Sequence, residues 1–268
     1  MRKLFLIFSV LVLAVGCTPN AVTGRKQLAL INEGQLQQMA LQEYKTFLSQ
    51  NKVMSNSVSK DAEMVKRVGN RIANAISKYY QEQGKGEVLN GYQWEFNLVD
   101  SKDINAWCMP GGKVVVYTGL LPVTQNEAAL AVVMGHEIAH AVAQHGNERM
   151  SQAMIAQGIS LAGNIITSGN SETNTIFNNI YGPGATLGVL LPNSRKQELE
   201  ADKFGLIFSA LSGYNPQEAI PFWQRMAKAG SGQKPPEFLS THPSDETRIQ
   251  RLQELMPEVL KYYKPIGK

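Results

Sequence analysis

Thr124–His145 reads TQNEAALAVVMGHEIAHAVAQH. The run predicts one helix. His136 and His140 are four apart, so on a helix they stack on one face. Glu137 follows the first histidine directly. This is H-E-x-x-H, in which two imidazoles hold a metal, usually zinc, and the glutamate is a general base toward water. The motif sits in an otherwise apolar stretch, Ala128–Val142, where three ionisable side chains would be costly without a function. Thr124 and Glu127 have capping-box spacing and are expected to start the helix.

A catalytic zinc takes three protein ligands and keeps one position open. The extended pattern H-E-x-x-H-x-x-G-x-x-H would need Gly at 143 and His at 146. The chain has Ala143 and Gly146, so that pattern is absent. His145 falls one residue off and is expected to be a capping or solvated histidine. The other option is the later acidic run Glu198-Leu199-Glu200-Ala201-Asp202. Glu198 and Asp202 share a helix face. Glu198 can bind zinc while Asp202 accepts the outer ring N–H of a liganding histidine and fixes its tautomer. Glu200 is expected to point away, to the surface.

Around this centre, apolar spacing predicts helices over Asn32–Gln50 and Ser59–Glu82. Tyr92–Val99 alternates and reads as a strand, and Lys113–Thr118 as a second. The segment between them is turn-rich. The second strand is expected at a sheet edge, where Val114, Val115, Val116 and Tyr117 would pair with an extended peptide. A helix is expected from Asn147 to Ile166, and Thr167–Pro192 as an irregular flap near the cleft. Further helices follow from Ser194 to Gly213, from Asn215-Pro216 to Ala229, and over Ser244–Leu255. Cys108 reads as a small buried residue rather than a nucleophile.

The chain has 268 residues, 43% hydrophobic and 18% charged, an ordinary globular composition. Arg2 and Lys3 followed by the apolar run Leu4–Val15 read as a signal segment over residues 1–16, too short for a membrane span. Gly16-Cys17 at its end is similar to the bacterial lipoprotein signal, which implies cleavage before Cys17 and lipidation of its thiol. A plain secretory signal is the alternative. Residues 17–31 then form a tether and 32–268 the catalytic domain. Without residues 1–16 the chain carries 24 basic and 22 acidic residues. Such a balance argues against a nucleic-acid partner.

Four separated motifs occur in order: Asn105–Gly112 as N-A-x-x-x-P-G-G, HEIAHAVAQH, LPNSRKQELEADKFGL, and Thr241–Arg248 as T-H-P-S-x-x-x-R. Together the chain from about Asp61 to Leu255 resembles metallopeptidase family 48, which holds HtpX, the CAAX prenyl endopeptidase and the mitochondrial Oma peptidase. The resemblance implies zinc-dependent endopeptidase activity with one Zn2+ per chain. It makes His136, His140 and Glu198 ligands and Glu137 the base. It puts Asn105 in a substrate-side motif, and His242 and Arg248 near the cleft, where they stabilise an oxyanion or gate a fourth ligand position.

The expected fold is α+β and mainly helical, a zincin-like (gluzincin) domain with a small sheet beside the H-E-x-x-H helix. The expected partners are unfolded or misfolded proteins, with the membrane reached through the N-terminal lipid. The expected place is the bacterial periplasm, at the outer membrane. A second reading is a chaperone-like client-binding lipoprotein whose protease site is mostly closed.

Overall fold

Two capped helices open the domain. Asn32 and Ser59 accept the N–H groups of Gln35 and Ala62 and start α1 (Glu33–Gln50) and α2 (Lys60–Glu82). The computed structural model describes residues 17–157, 171–182, 194–230, 236–242 and 247–266. Its fold is mainly helical with a small three-stranded sheet. Among the described residues no helix is long and apolar enough to cross a membrane.

The sheet holds β3 (Glu95–Val99), β4 (Ala106–Met109) and β5 (Lys113–Tyr117) in the order β3-β5-β4. β5 pairs parallel with β3 and antiparallel with β4. Gly111 and Gly112, at φ of 81° and 82°, make the tight return from β4 to β5 in a conformation that favours glycine. This corrects two expectations. The turn-rich segment contains a strand, and β5 is the middle strand, not an edge. Val114, Val115 and Val116 already have a strand on both sides, and Tyr117 pairs with β3 while its N–H is taken by the Asn105 carbonyl, so none offers an open edge for a peptide. The outer side of β3 is partly covered by a bridge from Val53 to Val99. The outer side of β4 is open among the described strands.

β5 also divides the core. Val114 and Val116 join α2 and the central helices on one face. Val115 and Tyr117 join Tyr44, Phe47 and Phe177 on the other. The alternation follows from the two-residue period of a strand.

The central helix α4 runs Glu127–Val142, and every residue from Ala129 to Val142 is buried. Asn126, not Thr124, caps it, accepting from the Ala129 N–H. Thr124 instead closes the short helix α3 (Leu121–Thr124), and the Glu127 carboxylate turns to Arg67 and Tyr214. The next helix, α5, runs His145–Ala156 and buries Met150, Ala153 and Met154, while Ile155 is exposed. Its expected extension over 158–166 lies outside the described residues.

Inside the expected flap, Ser171–Tyr181 forms a helix, α6, that buries Ile176, Phe177 and Ile180. The remainder of 167–192, apart from Gly182, lies outside the described residues. Then come α7 (Ser194–Leu211), α8 (Ala219–Gly230), α9 (Glu237–Thr241) and α10 (Arg248–Val259). The last begins four residues later than the pattern suggested, and residues 243–246 are not described.

The segment expected as a plain tether is folded. β1 (Cys17–Pro19) and β2 (Lys26–Leu28) form an antiparallel hairpin. The Asn20 and Gln27 side-chain amides donate to the Ala143 carbonyl at 3.0 and 3.2 Å, and the Leu30 N–H donates to Ser151.

α4 and α7 cross at two glycines. A Cβ on Gly135 would stand 2.6 Å from the Gly205 carbonyl oxygen, and one on Gly205 would stand 2.7 Å from the His136 Cα. Both obstacles are backbone, so neither can swing aside. Gly205→Ala is expected to cost about 1–3 kcal/mol through overpacking. Thermal melts should show it as roughly 2–4 °C of Tm per kcal/mol. An unchanged Tm would mean that the crossing yields freely.

Candidate metal centre

α4 places the His136 and His140 rings on one turn, α7 brings Glu198 across them, and the end of α9 adds His242. One ligand atom from each lies within 4.8 Å of all the others. His136 Nε2 is 3.1 Å from His140 Nε2 and 3.2 Å from His242 Nδ1. Glu198 carboxylate oxygens stand 3.2 Å from His242 Nδ1, 3.3 Å from His140 Nε2 and 3.4 Å from His136 Nε2. All three histidines are buried. Three imidazole nitrogens and a carboxylate thus converge closely enough to bind one ion together. The donor set, imidazole plus one carboxylate with a glutamate beside it, suits zinc.

Burial favours neutral imidazole at His136, but contacts with Asp202 and Glu198 outweigh it and raise His136 to about 9. Burial wins at His140, which is held well below the ordinary histidine value. Burial opposes ionisation of Glu198, yet the facing His242 and His140 hold it well below the usual carboxylate range.

A model of peptidase family M48 matches residues 59–256. The chain belongs to this family. It is 32% identical over 183 residues to the mitochondrial metalloendopeptidase OMA1 of Saccharomyces cerevisiae, covering 66% of this chain and 51% of the yeast protein. The identity is also 32% over 257 residues to the mitochondrial metalloendopeptidase OMA1 of Bos taurus, covering 90% of this chain and 46% of the other. A beta-barrel assembly-enhancing protease of Yersinia pestis is 31% identical over 183 residues, covering 65% of this chain and 37% of that one. The chain thus spans about half, or less, of the length of these relatives.

Within this M48 domain each α4 histidine has a polar neighbour on its outer side. His136 Nδ1 lies 3.1 Å from Asp202, and Arg248 holds the same Asp202 oxygen at 2.7 Å. The Arg248 guanidinium stacks on the Trp223 ring at 3.6 Å. Arg248 is buried and 3.7 Å from Glu198. It therefore reaches the centre from the Asp202 side of His136, close to Glu198.

Two other residues sit differently from their readings. His145 is fully buried, with its Nδ1 2.9 Å from His140 Nδ1 and its Nε2 2.9 Å from Glu200. Glu200 does not point away. It is half-buried between His145 and Arg25.

Glu137 sits on α4 with its carboxylate 3.3 Å from His242 Nε2. Burial raises its pKa, and His242 and His136 only partly offset that. Asn105 is buried at the start of β4, where its side chain accepts the Ala106 N–H and its carbonyl accepts the Tyr117 N–H. Cys108 is buried, and burial pushes its thiol well above the ordinary value, as its reading as an inert core residue requires.

Removing Arg248 would strand the buried Asp202 charge. Arg248→Ala is expected to lose about 3–5 kcal/mol in urea denaturation. The Asp202→Ala, Arg248→Ala double variant should lose less than the two single losses combined. Full additivity would show that the two side chains act separately.

Proposed function

We propose that this chain is a zinc-dependent endopeptidase that cleaves unfolded or misassembled envelope proteins. The observation that carries the reading is the convergence of His136, His140 and Glu198 on one point with the Glu137 carboxylate at its rim. Family membership and the relatives named as metalloendopeptidases support the reaction class. The envelope setting rests on Arg2-Lys3, the apolar run and Cys17, read as a lipoprotein leader. It is also supported by the assembly-enhancing role printed in the name of the Yersinia relative.

His136, His140 and Glu198 would hold the metal. Zinc bound there supplies a Lewis acid for the scissile carbonyl and lowers the pKa of water toward about 7. Glu137 takes the proton of the attacking water and returns it to the leaving amine. Its burial suits it to this, because a carboxylate raised in basicity is a better proton acceptor at neutral pH. The open edge of β4, rather than β5, receives the extended peptide. Asp202 and Arg248 keep the His136 ring in place.

A second reading has a specific observation in its favour. His242 Nδ1 stands among the donors as closely as any ligand. In this reading His242 fills the fourth position, and the chain is a client-binding lipoprotein whose protease site is mostly closed. His242→Ala separates the two. A gate predicts faster casein cleavage on its removal, whereas an oxyanion donor predicts a loss of about 10²–10³ in kcat.

The central test is metal analysis together with cleavage of an unfolded substrate. Glu137→Gln should keep zinc and lose cleavage, and Glu198→Ala should lose zinc. Normal proteolysis by Glu137→Gln would sink the mechanism. Normal zinc content in Glu198→Ala would remove that ligand.

A further inference from the structure

Behind the metal centre, the N-terminal hairpin is fastened to both helices that brace it. Arg25 lies in the turn between β1 and β2. Its Nε and Nη2 donate to the two carboxylate oxygens of Glu200 on α7, at 2.7 and 3.1 Å. Its Nη1 and Nη2 donate to those of Glu148 on α5, at 2.8 and 2.7 Å. One guanidinium therefore aims two carboxylates at once, which its planar fork allows and a lysine ammonium does not.

The contacts continue inward. Glu200 meets His145 Nε2 at 2.9 Å, and His145 Nδ1 meets His140 Nδ1 at 2.9 Å. The tautomers along this line are determined from its inner end. If His140 offers a lone pair at Nε2, its proton sits on Nδ1. His145 Nδ1 must then accept that proton's hydrogen bond, so the His145 proton sits on Nε2. Glu200 accepts from that N–H, and Arg25 holds Glu200 in the orientation to do so.

We propose that Arg25 is a positioning residue for His140, acting through Glu200 and His145, so that the N-terminal hairpin is a working part of the metal centre. This rests on reading His140 as a ligand. Partners in the shell around a metal ligand orient it and set its basicity. Here that shell is closed by a residue more than a hundred positions away in the chain.

The test measures zinc release to a chromophoric chelator from the full chain, with the melting temperature of the zinc-free form alongside. The variants are Arg25→Ala, Arg25→Lys, Glu200→Gln, and Arg25→Ala combined with Glu200→Gln. Each single variant should release zinc roughly tenfold faster. The double variant should release it no faster than the singles, because both break one line of contacts. A hairpin tie with no role at the metal would lower the melting temperature and leave zinc release unchanged. That result, or single effects that multiply in the double variant, overturns the proposal. Should Arg25→Ala fail to fold, Arg25→Lys decides. It keeps a cation beside both carboxylates, so faster release supports the proposal and wild-type release overturns it. A wild-type chain that holds no zinc overturns the metal assignment and this inference with it, whereas a zinc-holding wild type with unchanged variants overturns this inference alone.

Discussion

The backbones of α4 and α7 approach until side chains no longer separate them, and the centre depends on that approach. Gly135 and Gly205 face each other where a methyl group on either would meet backbone. The short distance lets a glutamate, with its limited reach, arrive from α7 at two imidazoles on α4. Glu198 lies about two helical turns before Gly205 and Asp202 about one. One helix thus supplies the carboxylate on the inner side of the rings and the one on the outer side of His136. The same approach turns both faces of α4 inward. A helix buried all round needs apolar residues on every side, and only the three groups of the motif and the crossing glycine break that rule.

Burying so many ionisable groups is tolerable only if each is paired. The pairing has one logic used twice. His136 leads outward to Asp202 and then Arg248. His140 leads outward to His145, Glu200 and then Arg25. Each line starts at a donor atom and ends in an arginine. Arg248 ends against the Trp223 ring, a contact that is favourable in a desolvated place. Arg25 ends at the domain's margin and so needs a second acid, Glu148, to keep its plane.

The motif residues were legible because chemistry constrains both their identity and their spacing. The helices over Glu33–Gln50 and Lys60–Glu82 were legible because their apolar residues repeat at helical spacing within one continuous stretch. The place of β5 was not. KVVVY is apolar on both faces, which suits a middle strand, but a strand's neighbours come from elsewhere in the chain. AWCM was hidden by its length of four residues and by the Pro-Gly-Gly that follows it. Ser171–Tyr181 was hidden by Asn, Ser and Thr, which favour turns in isolation. Its burial of Ile176, Phe177 and Ile180 overrides that preference. Arg25 gave no local sign at all, since ion pairs that span the chain leave no spacing to read.

His145 was misread for a more specific reason. On a continuous helix, a residue five after His140 would lie off its face. The helix is not continuous. α4 stops at Val142, Gln144 takes a left-handed conformation at φ 53°, and a new helix starts at His145 itself. That break turns the His145 ring back toward His140. A left-handed glutamine is uncommon and needs support from its surroundings. Ending a helix also frees carbonyls that must find donors. The Ala143 carbonyl finds two, in the side chains of Asn20 and Gln27 from the N-terminal hairpin. The hairpin therefore meets the centre at two levels. Its amides stabilise the break that aims His145, and its arginine orients the carboxylate that receives the His145 proton.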